Sequence, residues 1–172
     1  RQLIQSENYT FQSFILKALG ELTKEKKLRV CIALASNRQE KIDQISRLDE
    51  INFLHQYISK FYTEPITSYK LAEKSEISIA CFSTLGKELL ARNHKIMFVL
   101  YSKFKSVNKN YLPGYEGKYW YKGQNKHLLK KKIIELIKLN KKKWLLHLKR
   151  QNIGYEFDPG NTKLKKLITS LC

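Results

Sequence analysis

Acidic residues are scarce in this chain: 15 Asp and Glu stand against 33 Lys and Arg in 172 residues, a formal charge of +18. Such a surplus draws in anionic partners of any size, so it does not by itself separate a nucleotide from a polymer. Cysteine is scarce too. Cys31, Cys81 and Cys172 form no CxxC pair, which excludes a disulfide framework or zinc ribbon. Cys31 and Cys81 fall in apolar stretches and are expected as reduced core thiols of a cytoplasmic protein. No apolar run approaches the ~18 residues of a membrane span, and no segment reads as a signal peptide. His55, His94, His127 and His147 are scattered, with no HExxH and no cysteine at ligand spacing, so no metal site is expected. Walker A, GxGxxG and nucleophile-elbow patterns are missing, and Ser83 has no His and Asp in fixed relation, which removes hydrolase chemistry.

What is present is enough to fold. Hydrophobic residues make up 42% and aromatics 12%, and the length suits one domain with a buried core. The chain opens on Arg1 and not on Met; the expectation is a single domain, 1–172, that is a fragment of a larger protein. No internal repeat or linker divides it.

The organising stretch runs from Glu76 to Tyr101. Ile77–Phe82 is apolar with a β bias, Ser83-Thr84 supplies hydroxyls at a helix start, Leu85–Arg92 is helical in pattern, and Lys95–Tyr101 is apolar again. Two strands joined by a helix are parallel and need layers on both faces. The fold class is therefore α/β, Rossmann-like and three-layered, with a mostly parallel sheet flanked by helices and the carboxyl-terminal helices packed on one side. The Ser83-Thr84-Leu85-Gly86 turn falls at the carboxyl end of a strand and the positive end of a helix, where such sheets bind phosphate.

Around this unit, Tyr9–Leu22 shows a helical stripe, and Leu28–Ala35 is a near-continuous apolar strand expected to be covered on both faces. Ile42–Asp49 is mostly polar and Ile51–Ile58 fits two or three helical turns. Phe61–Ile66 is extended ahead of a small helix capped by Thr67 or Ser68 and ending at Glu73. Residues 102–123 form an aromatic loop with one short strand, whose rings are expected to pack on the sheet more than to stack a ligand. Lys126–Leu139 is a basic helix with Leu128, Leu129, Ile133, Ile134 and Ile137 on its apolar side. Asn140 caps another helix through Arg150 with Trp144, Leu145 and Leu148 inward, Tyr155–Thr162 turns, and Lys163–Leu171 is a last helix.

The residues with chemistry cluster at the central turn. Ser83 and Thr84 serve as an ordinary helix cap or as phosphate contacts; both readings stay open. Gly86 costs about 1 kcal/mol against Ala inside a helix, which tight helix–sheet packing or close approach of a ligand explains equally well. Glu88, one turn past Thr84 on the same face, is badly placed to cap and well placed to accept hydroxyl hydrogen bonds. The lysine runs Lys130–Lys132 and Lys141–Lys143 read as solvated helix faces, or as contacts to anionic membrane or nucleic acid.

The order Ser68-Tyr69, a small helix, an apolar strand and then Ser83-Thr84-Leu85-Gly86-Lys87-Glu88 up to Phe98 resembles the nucleotide-sugar-binding half of GT-B glycosyltransferases, in particular bacterial surface carbohydrate biosynthesis proteins. Leu112–Trp120 and Phe157–Leu164 continue the resemblance, which spans roughly Phe61 to the carboxyl end. It implies a carboxyl-terminal donor domain whose Ser83, Thr84 and Gly86 contact a phosphate or diphosphate, with Glu88 toward the ribose and secondary contacts at Arg38 and Tyr69. The ligand is a nucleotide sugar acting as substrate, with no cofactor and no metal; the acceptor is a surface polysaccharide or a lipopolysaccharide. Two departures stand out. Asn93 replaces the usual Gly before the second strand, and the turn after the first strand reads Ser36-Asn37-Arg38. The acceptor half of a GT-B enzyme is not in these residues, so the fragment alone is expected to be inactive. An epimerase of the UDP-GlcNAc type on the same two-domain plan is the first alternative, and a basic nucleic-acid-binding module the second, with nucleic acid the less expected partner. The implied location is the cytoplasm, with the lysine-rich helices as a peripheral contact to the inner membrane.

Overall fold

The computed structural model describes residues 2–25, 27–33, 41–62, 67–81, 83–100 and 120–150, with positions 162, 166, 169 and 170 near the carboxyl end. The aromatic loop up to position 119, the 155–161 turn and Arg38 lie outside the described residues; the four carboxyl-end positions are helical.

The β-α-β unit is present. Strand β1 (Ser78–Ala80), helix α4 (Thr84–Ala91) and strand β2 (Ile96–Leu100) follow one another, and β1 pairs parallel to β2 with Ser78 opposite Ile96 and Ala80 opposite Phe98. A third short strand, β3 (Tyr121–Lys122), pairs parallel to the far side of β2, giving the order β1-β2-β3. Ile96, Met97, Phe98 and Val99 are all buried. Successive strand residues point to opposite faces, so four buried in a row require cover on both sides of the sheet. The result is an α/β, Rossmann-like arrangement with six helices among the described residues. Trp120 meets Phe98 edge-on at 5.1 Å, and Tyr121 is locked by its own loop, its hydroxyl donating to the Asn125 carbonyl at 2.8 Å while the Asn125 N–H donates back to it. At these two aromatics, packing on the sheet is what the structure shows.

The helices are α1 (Gln2–Lys24), α2 (Lys41–His55), α3 (Ser68–Lys74), α5 (Lys126–Lys138) and α6 (Lys141–Arg150), besides α4. Caps set several starts: the Thr67 hydroxyl accepts from Lys70 N–H, and Asn125 and Asn140 accept from Leu128 and Lys143 N–H. Helix α1 serves two clusters. Ile15, Ala18 and Leu22 join the sheet, α5 and α6 in the main core, while Leu16 joins Val30, Leu54 and Ile58 in a smaller one. Gly20 allows this crossing, because a Cβ there would stand 2.0 Å from the Tyr57 carbonyl oxygen.

Four expectations are corrected. The 28–33 stretch is no sheet strand; it makes one parallel bridge, Cys31 to Tyr62, backed by Ile32 N–H to Tyr62 O at 2.9 Å and Tyr62 N–H to Val30 O at 3.0 Å. Only one side of it is covered: Val30 is buried while Cys31 and Ala33 are exposed, so Cys31 is not a core thiol. Helix α2 is continuous through the polar 42–49 stretch, which holds no Pro or Gly to stop it. On α5 and α6, Leu129, Ile133, Leu136, Trp144 and Leu148 form the inward sides, leaving Leu128 and Leu145 exposed.

Candidate functional site

Helix α4 is about 12 Å long at 1.5 Å per residue, and its two ends differ. At its start, Ser83 is the N-cap with extended backbone, and its side chain makes no capping hydrogen bond. Ser83 and Thr84 are both exposed, and they follow the carboxyl end of β1. Gly86 is buried, and its N–H donates to the Ser83 carbonyl at 3.0 Å. A Cβ on Gly86 would lie 2.8 Å from Phe98 Cε1 and 2.9 Å from the Ala80 Cβ, so helix–sheet packing is sufficient to require glycine there. Glu88 is exposed one turn further on. Thr84 and Glu88 share a face by their four-residue spacing. The start of α4 thus offers two hydroxyls, a carboxylate and the positive end of a helix dipole to solvent.

The far end is closed. Asn93 takes a left-handed backbone (φ 60°), the conformation for which Asn substitutes for Gly. Its N–H donates to Leu90 O and the His94 N–H to Leu89 O, both at 2.9 Å, a Schellman arrangement that satisfies the last carbonyls. A cleft of about 340 Å³ lies here, lined by Tyr69, Glu73, Arg92, His94, Lys95 and Lys141 among others. The Arg92 guanidinium sits over the Tyr69 ring, 4.9 Å from its centroid. Tyr69 therefore belongs to this cleft, at the opposite end of α4 from Ser83 and Thr84; Ser83, Thr84 and Glu88 are not part of the cleft wall.

The groups in the cleft are largely committed. Lys95, 14% exposed, reaches the carbonyls of Ile137 at 3.1 Å and Leu139 at 3.0 Å and lies 3.7 Å from the Glu76 carboxylate. A cation on the last carbonyls of α5 satisfies acceptors that the helix itself leaves open. His94 Nε2 lies 3.0 Å from Ser78 Oγ, and burial first, then the nearby Lys95 and Lys141, holds its pKa below the usual value. A neutral imidazole beside a half-buried serine here is a structural pair. Cys81 has no low-pKa character either, since burial pushes its thiol up to about 12. Sequence reasoning missed this cleft, although the Arg92-Asn93-His94-Lys95 run between helix and strand was its available signal.

Part of the lysine-rich helix is also spoken for. Lys126 and Lys130 pair with Glu21 of α1, Lys130 also pairs with Glu25 at 2.5 Å, and Lys132 donates to the Trp120 carbonyl at 2.8 Å. Hydrogen bonds from Lys130, then Lys27, bring the Glu25 carboxyl down to about 2. Lys131 and Lys141–Lys143 are exposed. Among the described residues, no His, Cys, Asp and Glu group is placed to hold a metal ion, and no helix is long and apolar enough to cross a membrane.

Residues 1–171 match the model of a family described as "putative O-antigen biosynthesis protein". The chain belongs to this family. No curated protein and no solved structure matches it. The O-antigen biosynthesis description ties the chain to surface carbohydrate assembly, and the family's span takes in both ends of α4 together with α5 and α6.

Proposed function

We propose that this member of the O-antigen biosynthesis family is the donor-binding part of a glycosyltransferase, moving a sugar from an activated nucleotide to a surface polysaccharide or lipopolysaccharide. The observation that carries this reading is the uncapped Ser83 at the start of α4, exposed beside Thr84 where β1 ends. A parallel sheet offers its ligand crevice at that edge, and the first N–H groups of a helix favour a phosphate there. In this reading the Ser83 and Thr84 hydroxyls and the helix-start N–H groups stabilise charge growing on the departing phosphate. Gly86 keeps the helix tight on the sheet beneath them, and Glu88 accepts hydrogen bonds from the ribose.

Titration calorimetry with UDP, CMP and GDP tests the proposal. One of the three should bind, and Glu88→Ala should weaken it by about 1 to 3 kcal/mol, the loss expected for charge-assisted hydrogen bonds. If none binds, or if the Glu88 variant binds as tightly as the parent, the donor site is not at the start of α4.

A further inference from the structure

We propose that the outward face of α6 docks the protein on an anionic phospholipid surface. Between Lys141 and Arg150 the helix has five cations and no acidic residue. Trp144 and Leu148, four apart, turn one side into the core. Helical spacing then puts Lys142, Lys143, Leu146, Lys149 and Arg150 on the opposite side, with Leu145 at its margin, and all six are exposed. Leu145 is 39% and Leu146 46% exposed, so two aliphatic side chains stand in solvent among cations.

The stability of the helix does not account for this composition. Lys141, Lys142 and Lys143 occupy its first turn, the end at which the helix dipole disfavours positive charge. Among the described residues none of the five cations of α6 has a carboxylate partner. Helix α5 shows the contrast: its Lys126 and Lys130 are held by Glu21 of α1 and by Glu25 just past the end of that helix. An external anion offsets the repulsion on α6 where the described residues supply no carboxylate. The leucines decide which anion. A nucleic-acid backbone would be met by the lysines alone, whereas leucines flanked by lysines on one helix face gain by entering the boundary between headgroups and acyl chains. The proposal is independent of where the nucleotide binds.

Co-sedimentation of the full chain with vesicles tests it, comparing pure phosphatidylcholine with equal parts phosphatidylcholine and phosphatidylglycerol at about 0.15 M salt. Binding is expected to the mixed vesicles only, and to fall as salt is raised toward about 1 M. The double variant Lys142→Ala/Lys143→Ala should lose about 25-fold in partition, from about fivefold for each cation at an anionic surface. Leu145→Ser/Leu146→Ser should lose about tenfold without loss of thermal stability, because both side chains are already exposed. Absence of binding to the mixed vesicles overturns the proposal, as does binding that both variants retain in full. Retention of a short DNA duplex in place of vesicles, unaffected by the leucine changes, would assign the face to nucleic acid.

Discussion

The two ends of α4 make opposite use of similar local chemistry. At the amino end a Ser-Thr pair and a carboxylate stand exposed, and the Ser83 side chain leaves the cap unmade. At the carboxyl end the helix's own last groups are taken: Asn93 and His94 close the last turn, Lys95 caps a different helix, and His94 is paired with Ser78. A cleft lies at the closed end, and exposed polar groups stand at both, Glu73, Arg92 and Lys141 on the cleft wall and Ser83, Thr84 and Glu88 at the open end. The lesson is that concavity and chemical readiness are separate properties. A helix start whose cap the fold leaves unmade is the better candidate for a phosphate than a hollow beside a helix end whose last carbonyls are already satisfied.

The comparison rests on α4 being seated firmly on the sheet, and Gly86 is where that seat is tested. Gly86→Val would push a branched side chain into Phe98, Ala80 and Ile96, the first two less than 3.0 Å from the added Cβ. A loss of about 3 kcal/mol is expected from such overpacking, read as a fall in the urea midpoint, with both ends of the helix affected together. An unchanged midpoint would show that α4 does not sit there. Lys95→Met should act on the closed end alone. It strands carbonyls of Ile137 and Leu139 and should cost about 1 to 3 kcal/mol. Amide exchange should quicken in the last turn of α5 and in α6, while nucleotide affinity of the folded protein stays as in the parent. A drop in that affinity would mean that the two ends are coupled.

Much of this contrast was legible in the sequence, and the limits have physical causes. The β-α-β unit announced itself because its signals are local: apolar runs of strand length, hydroxyls at the helix start and an Asn where the helix ends. Thr67, Asn125 and Asn140 as caps are signals of the same short range. The first predicted strand failed because its continuity in apolar type hid an alternation in burial, Val30 inward against Cys31 and Ala33 outward. Leu128 and Leu145 were placed inward because listing apolar residues ignores helical phase; Leu129–Ile133–Leu136 and Trp144–Leu148 keep that phase. The fates of Lys126 and Lys130 were invisible, since their partner Glu21 lies 105 and 109 residues away. The cleft shows in the sequence only as the Arg92-Asn93-His94-Lys95 run, because the rest of it is assembled from α3 and the start of α6. At the open end, the sequence marked Ser83, Thr84 and Glu88 by type and spacing, and their exposure is a tertiary fact added by the fold.

Asn93 sharpens the contrast with a smaller effect. Its left-handed backbone is strained for any residue with an ordinary side chain, at about 1 to 2 kcal/mol, and Asn tolerates it better than most. Asn93→Ala should therefore destabilise by about 1 kcal/mol, and Asn93→Gly should equal or exceed the parent. Chemical denaturation of the pair checks this. Equal midpoints for Ala and Gly would mean that the turn does not hold the left-handed conformation, and the closed end would lose its defining feature.

The smallest expected effect is a pH dependence confined to the closed end. Burial, helped by Lys95 and Lys141, lowers the His94 pKa in the folded protein from 6.5. The unfolded chain then takes up a proton first as pH falls, so the contribution of neutral His94 is whole above about pH 6.5 and is lost as pH drops from there through the folded pKa. Glu21 and Glu25 do not confuse the reading, because their partners hold both carboxyls below 4.5 and their own contribution is lost only further into acid. Melting temperature measured between about pH 7.5 and about pH 5.5 should decline in the parent and decline less in His94→Gln, which removes the titrating group. Equal slopes would show that His94 takes its proton as readily folded as unfolded. The Ser78 pair would then no longer count among the contacts that close this end.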